Sequence, residues 1–90
     1  MTLKIERVSE KHRTRIRLHG ELRAEHLDQM RGEIERGHSL VILDLGEVDR
    51  IDIDAVRFLN ACEAQDVEVV NCSRYIREWM SQERAIERNS

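Results

Sequence analysis

Apolar and polar positions alternate at the start of the chain. Leu3 and Ile5 alternate with Lys4 and Glu6, and Ile16 and Leu18 with Arg15, Arg17 and His19. A period of two places successive side chains on opposite faces of a strand. Strands over 3–8 and 13–19 are therefore predicted, joined by a polar turn, SEKH. An antiparallel hairpin pairing Leu3 with Leu18 and Ile5 with Ile16 gathers the apolar set on one face and sets Glu6 opposite Arg15 on the other. Gly20 is expected to end the second strand. From Ala24 the period changes, and Leu27, Met30 and Ile34 fall at i, i+3 and i+7, the stripe of an amphipathic helix. Gly37 is placed to cap its carboxyl end.

LVILDL, residues 40–45, is apolar on both parities except for Asp44, the pattern of a central strand covered on both faces. After GEVDR, the positions Ala55, Phe58, Leu59 and Cys62 line one side of a helix over 53–64, with Asp52 or Asp54 as its cap. VEVV at 67–70 is short and β-branched, a fourth strand. Ser73 then caps a last helix that carries Ile76, Trp79 and Met80. The predicted order is ββαβαβα. Right-handed crossovers make the last three strands parallel and leave the first antiparallel, which gives an α/β fold with a mixed four-stranded sheet under helical cover.

Ninety residues suit one domain, taken as 1–90 with a polar tail from about residue 85. With aromatic residues at only 3%, aliphatic packing must hold the core, and a chain this small has little room for a deep active site. Charged residues make up 37% with a net of −3. Both signs are interspersed, so the overall field favours neither nucleic acid nor an anionic membrane. Cys62 and Cys72 lack CxxC spacing, and no signal-like or membrane-length apolar run is present, which points to a reduced, cytoplasmic setting.

The chemistry on offer is sparse. Asp52 and Asp54 stand two apart at the mouth of a helix. As an acid–base pair they would need a desolvated carboxyl and a substrate pocket; helix capping and surface charge require neither, and a docking role is compatible with capping. His12, His19, His26 and His38 show neither HxH nor HxxxH spacing, so no metal site and no cofactor are expected. Arg13, Arg15, Arg17 and His19 form a cationic row on one strand face. That row is the basis for an alternative nucleic-acid-binding reading, although no aromatic residue interleaves it to stack bases. Cys62 reads as a core residue, while Cys72, at a helix start, is the only candidate for a reactive thiol. Tyr75 and Trp79 give the last helix an aromatic pair of undecided exposure.

HGEL at 19–22 and VILDLGEVDRIDIDAVRFL at 41–59 resemble the STAS family, whose members include bacterial anti-sigma factor antagonists. The family's pattern runs G-E-L before the first helix, then hydrophobic-D-L-x-x-V-x-x-hydrophobic-D-S-S-G-L into the second, then a strand ending near Asn. Gly20, Glu21 and Leu22 match the first part; Asp44, Leu45, Val48, Ile51 and Asp52 the second; and Val69, Val70 and Asn71 the third. The likeness covers nearly the whole chain.

In that family the second serine is phosphorylated by a partner kinase of the histidine-kinase ATPase type, which also acts as the anti-sigma factor. Here Ile53 stands for the first serine, Asp54 for the second and Ala55 for the glycine. The phosphoacceptor is thus replaced by a fixed negative charge. The resemblance implies a STAS-like, non-catalytic protein–protein module of bacterial partner switching and transcription regulation, not controlled by serine phosphorylation at the usual site. Its expected docking edge is Asp52, Ile53, Asp54, Ala55 and Arg57, with Asp54 as the phosphosite equivalent. A small hydrolase ranks behind the nucleic-acid alternative.

Overall fold

The computed structural model describes residues 3–36 and 40–88. Strand β1 (Leu3–Ser9) turns back into β2 (Arg13–Leu22). The turn is closed by the Glu10 N–H donating to the Arg13 carbonyl at 2.8 Å and by an Arg13–Glu10 ion pair at 3.0 Å. The strands run antiparallel with Ile5 opposite Leu18, Arg7 opposite Ile16 and Ser9 opposite Thr14. This corrects the expected register by two residues: Leu3 faces Gly20, and Glu6 faces Arg17 instead of Arg15. The turn therefore lies one position later, over 10–13. A slip of two preserves side-chain parity, so the apolar face is the same in both registers and could not discriminate between them.

A 3-10 turn (Ala24–His26) leads into helix α1 (Leu27–Glu35). Strand β3 (Leu40–Ile51), helix α2 (Ile53–Ala64), strand β4 (Glu68–Val70) and helix α3 (Arg74–Arg88) complete the order ββαβαβα. The sheet order is β1-β2-β3-β4, with the first pair antiparallel and the others parallel. The fold is thus α/β with a mixed four-stranded sheet and three helices, as the periodicity predicts. Ser73 caps α3, its Oγ accepting from the Ile76 N–H at 3.2 Å. Residues 85–88, expected in a polar tail, instead form the last turn of α3. The expected Gly37 cap lies outside the described residues.

Two central strands are longer than their patterns imply. β2 continues past Gly20 to Leu22, and β3 absorbs GEVDR as far as Ile51. The cause is a pair of register shifts between them, at Arg17/His19 and Gly20/Glu21. Gly20 there has φ of 102°, a conformation that L side chains rarely adopt. Beyond the shifts the buried positions of β3 are Val48 and Ile51, a spacing of three that hides the strand from a period-two reading.

Stepping from β2 to β3 to β4 in one direction by right-handed crossovers puts α1 and α2 on the same face of the sheet. The inward residues Ile16, Leu18, Leu43 and Leu45 share one buried cluster with Met30 of α1, Leu59 of α2 and Ile76 and Met80 of α3. The expected two-sided cover of LVILDL is corrected accordingly. Its other parity faces a side where none of the described helices packs, and Leu40 there is 48% exposed. Ile42, although only 2% exposed, lies outside that cluster. It is flanked across the sheet by Arg15 and Glu68, side chains long enough to cover it.

Candidate functional site: the amino end of α2

At the end of β3 the Asp52 N–H donates to the Leu22 carbonyl at 3.3 Å, so the chain is still held to β2 when it turns into α2. Asp52 is extended (φ −101°, ψ 175°), and its Oδ1 accepts from the Ala55 N–H at 2.9 Å. Such a cap satisfies one of the amide donors that a helix start leaves without a partner. Oδ2 accepts from the Ala24 N–H, also at 2.9 Å. One carboxylate therefore ties the entry of α1 to the entry of α2. Asp52 is the cap of the two candidates named from the sequence.

Asp54, in the first turn of α2, is exposed and has no hydrogen-bond or ion-pair partner among the described residues. The two carboxylates thus divide: one is consumed by backbone amides, the other is displayed at the positive end of a helix. Nothing brings them together around a common partner. Of the other expected docking residues, Ile53 is half-buried, Ala55 is wholly buried and Arg57 is exposed. Arg57 Nε lies 3.3 Å from Oε1 of Glu83, which comes from α3 and is only 8% exposed.

Two depressions flank this edge. On one side Asp52 borders a shallow hollow of about 300 Å³ with Arg23, Asp49, Arg50 and Tyr75. On the other, Asp54 and Arg57 stand on the rim of a groove of about 740 Å³ between α1 and α2, with Phe58 and Leu27 in its wall. No known protein family matches the chain, and no curated protein matches it.

The cationic row of β2 lies on the helix-free face, but much of its charge is matched. Arg15 reaches Asp44 Oδ2 at 3.2 Å, Arg17 lies 4.0 Å from the same oxygen, and His19 Nε2 is 3.3 Å from Glu6 Oε1. Burial alone would push the Asp44 carboxyl up. Hydrogen bonds from the Gly46 N–H, Asn71 and Arg15, with the charge of Arg15, nevertheless hold it below the usual carboxylate value. Asn71 supplies its bond from a left-handed backbone, φ 59°.

Neither cysteine is poised for chemistry. Burial pushes the Cys62 thiol up to about 11. It also raises Cys72, against the opposing pull of Arg77, whose Nη2 lies 3.7 Å from its sulfur. Both are free thiols. Among the described residues no three His, Cys, Asp or Glu side chains gather as metal ligands would, and no helix is long and apolar enough to cross a membrane. Tyr75 is 56% exposed, its ring centroid 5.9 Å from that of half-buried Trp79.

The sequence reading missed what surrounds the edge. Asn60 is buried between α2 and α3, its Nδ2 donating to the Met80 carbonyl at 3.0 Å while its Oδ1 accepts from Arg84 at 2.9 Å. The guanidinium of Arg31 sits 5.4 Å over the Phe58 ring across the groove. A polar residue inside the apolar run FLNAC was the available signal for the first; the second joins separate elements and left no local trace.

Proposed function

We propose that this chain is a non-catalytic docking module of STAS-like architecture that works by protein–protein contact through the amino end of α2. The observation that supports it best is the division of labour between the two aspartates. Asp52 is occupied as a cap, whereas Asp54 stands exposed, with no partner among the described residues, where the amides of the helix start would equally stabilise a phosphate. Gly20 at its strained bulge and Asn71 in the left-handed region give physical reasons for two residues of the STAS-like pattern.

The partner in this reading is a histidine-kinase-type ATPase acting as an anti-sigma factor in the bacterial cytoplasm, with transcription as the regulated output. Asp54 imitates a phosphate only in part, since a phosphate carries nearly two charges and three acceptor oxygens. The domain is consequently independent of serine phosphorylation at that position. The test is titration of the purified chain with such an ATPase from the same genome. Binding that Asp54→Lys weakens about tenfold or more supports the reading; ATPases that bind neither form, or bind both equally, overturn it. Asp54→Ser should in addition create a phosphoacceptor for the same enzyme.

One observation favours a second reading, a nucleic-acid binder: the row Arg13, Arg15, Arg17 and His19 lies on a sheet face that no helix covers. Oligonucleotide retention that falls with salt and disappears when the three arginines become glutamate would promote it. The engagement of Arg15 and Arg17 with Asp44 weighs against it.

A further inference from the structure

The groove between α1 and α2 is a different surface from the aspartate rim, though the two meet at Asp54. Its apolar wall comprises Leu27 and Ile34 of α1, Phe58 and Cys62 of α2, and Val67 just before β4. Exposed Ala61 leaves its middle open, because no larger side chain rises there. Both helices run from the carboxyl ends of parallel strands, so they point the same way, with Asp54 at one end of the groove and Glu35 and Gln65 at the other. From Asp54 to Gln65 the groove spans about 16 Å at the rise of an α-helix.

The charges on the rim decide what fits. Arg31 is matched by Asp28 at 2.9 Å and turned over Phe58, and Arg57 is matched by Glu83. Asp54 and Glu35 have no partner among the described residues. Among the described residues the unmatched rim charge is therefore negative at both ends, around an apolar floor. That pattern repels a fatty acid or an anionic headgroup and suits an apolar segment bracketed by cations.

We infer that this groove receives an amphipathic helix of the partner protein, about three turns long, with apolar anchors at i, i+3, i+4 and i+7 and a lysine or arginine at each end. Dipole pairing sets the helix antiparallel to α1 and α2. Its amino end then faces Glu35, and its carboxyl end faces the amides of α2 with a cation on Asp54. The inference rests on the docking reading but extends the contact along the whole length of α2.

The probe is a synthetic helix of about twelve residues with that leucine spacing and lysine at both ends, alongside a glutamate-ended version and one with scrambled leucines. NMR titration of the full chain should shift Ile34, Phe58 and Ala61, with affinity about tenfold weaker for either control. Ala61→Arg, at an exposed position, should block the groove while leaving the melting temperature unchanged. No binding, equal binding of the controls, shifts confined to the sheet face or α3, or saturable binding of myristate in place of the peptide overturns the inference. So does dimerisation of the chain that Ala61→Arg abolishes. With the ATPase in hand the two proposals separate: if Asp54→Lys prevents its binding and Ala61→Arg does not, the docking edge stands and the groove falls.

Discussion

Asp52 and Ala24 are 28 positions apart, yet the Asp52 carboxylate accepts the Ala24 N–H at 2.9 Å while its other oxygen caps α2. Removing it leaves two amide groups without their acceptor, in two different elements. Asp52→Ala should lower stability by about 1–3 kcal/mol, because it removes a helix cap and a second charged hydrogen bond at a partly solvated site. Asp52→Asn keeps one carbonyl oxygen and should lose about half as much. Asp54→Ala touches neither bond and should cost only the helix-dipole contribution of about 0.3–1 kcal/mol, less than Asp52→Ala, with an unchanged urea m value in all three variants.

Asp44 should make stability depend on acid. Its folded pKa lies below the unfolded value of about 3.9, so the stabilisation is fully present above that value and is lost as pH falls through the folded pKa. Asp44→Asn should be less stable than the native chain by roughly 1 kcal/mol at pH 7. The gap should narrow below about pH 4. Thermal melts of both proteins across pH 2 to 7 (about five points) would show the two curves converging on the acid side, and parallel curves would contradict the assignment.

The elements most legible in the sequence were those in which one face alone is buried. Leu27, Met30 and Ile34, or Ile76 and Met80, repeat at helical spacing because water lies on the other side of each helix. The hairpin was legible as to faces but not register, because Leu3 can oppose Leu18 or Gly20 without changing which residues point inward. GEVDR concealed a strand because the shifts beside Gly20 break its alternation. Ile42 looked like evidence for a second helical layer, although long neighbouring side chains can shield it as well. At the candidate site, the spacing of Asp52 and Asp54 was visible, and the cap was narrowed to one of the two. That Asp52 also holds Ala24, and that Arg57 is bound to Glu83, arises from contacts between distant segments and could not be read locally.

The cysteines should respond to alkali and to alkylation in a set order. With its thiol raised to about 11, Cys62 contributes stability that is fully present below the ordinary thiol value of about 8.5 and declines as pH rises towards 11. Its thiolate fraction at pH 8 is roughly one part in a thousand. Iodoacetamide should therefore modify half-buried Cys72 first and Cys62 only through opening of the core, as mass spectrometry of timed samples would show. Rapid labelling of Cys62 in the folded chain would contradict its burial on the inner face of α2.

Arg57 stands on the proposed docking edge and also pairs with Glu83 of α3, and the two roles need separating. Its partner Glu83 is only 8% exposed, so Arg57→Ala strands a carboxylate with little access to water. Arg57 itself is largely exposed, which screens the attraction and keeps the loss to roughly 1 kcal/mol. Glu83→Gln in the same background removes the stranded charge. The double variant should consequently be more stable than Arg57→Ala alone, a non-additivity that a double-mutant cycle measures directly. Partner affinity should follow a different rule, falling equally in Arg57→Ala and in the double variant if the guanidinium touches the partner. It should recover in the double variant if Arg57 acts only by holding α3 in place.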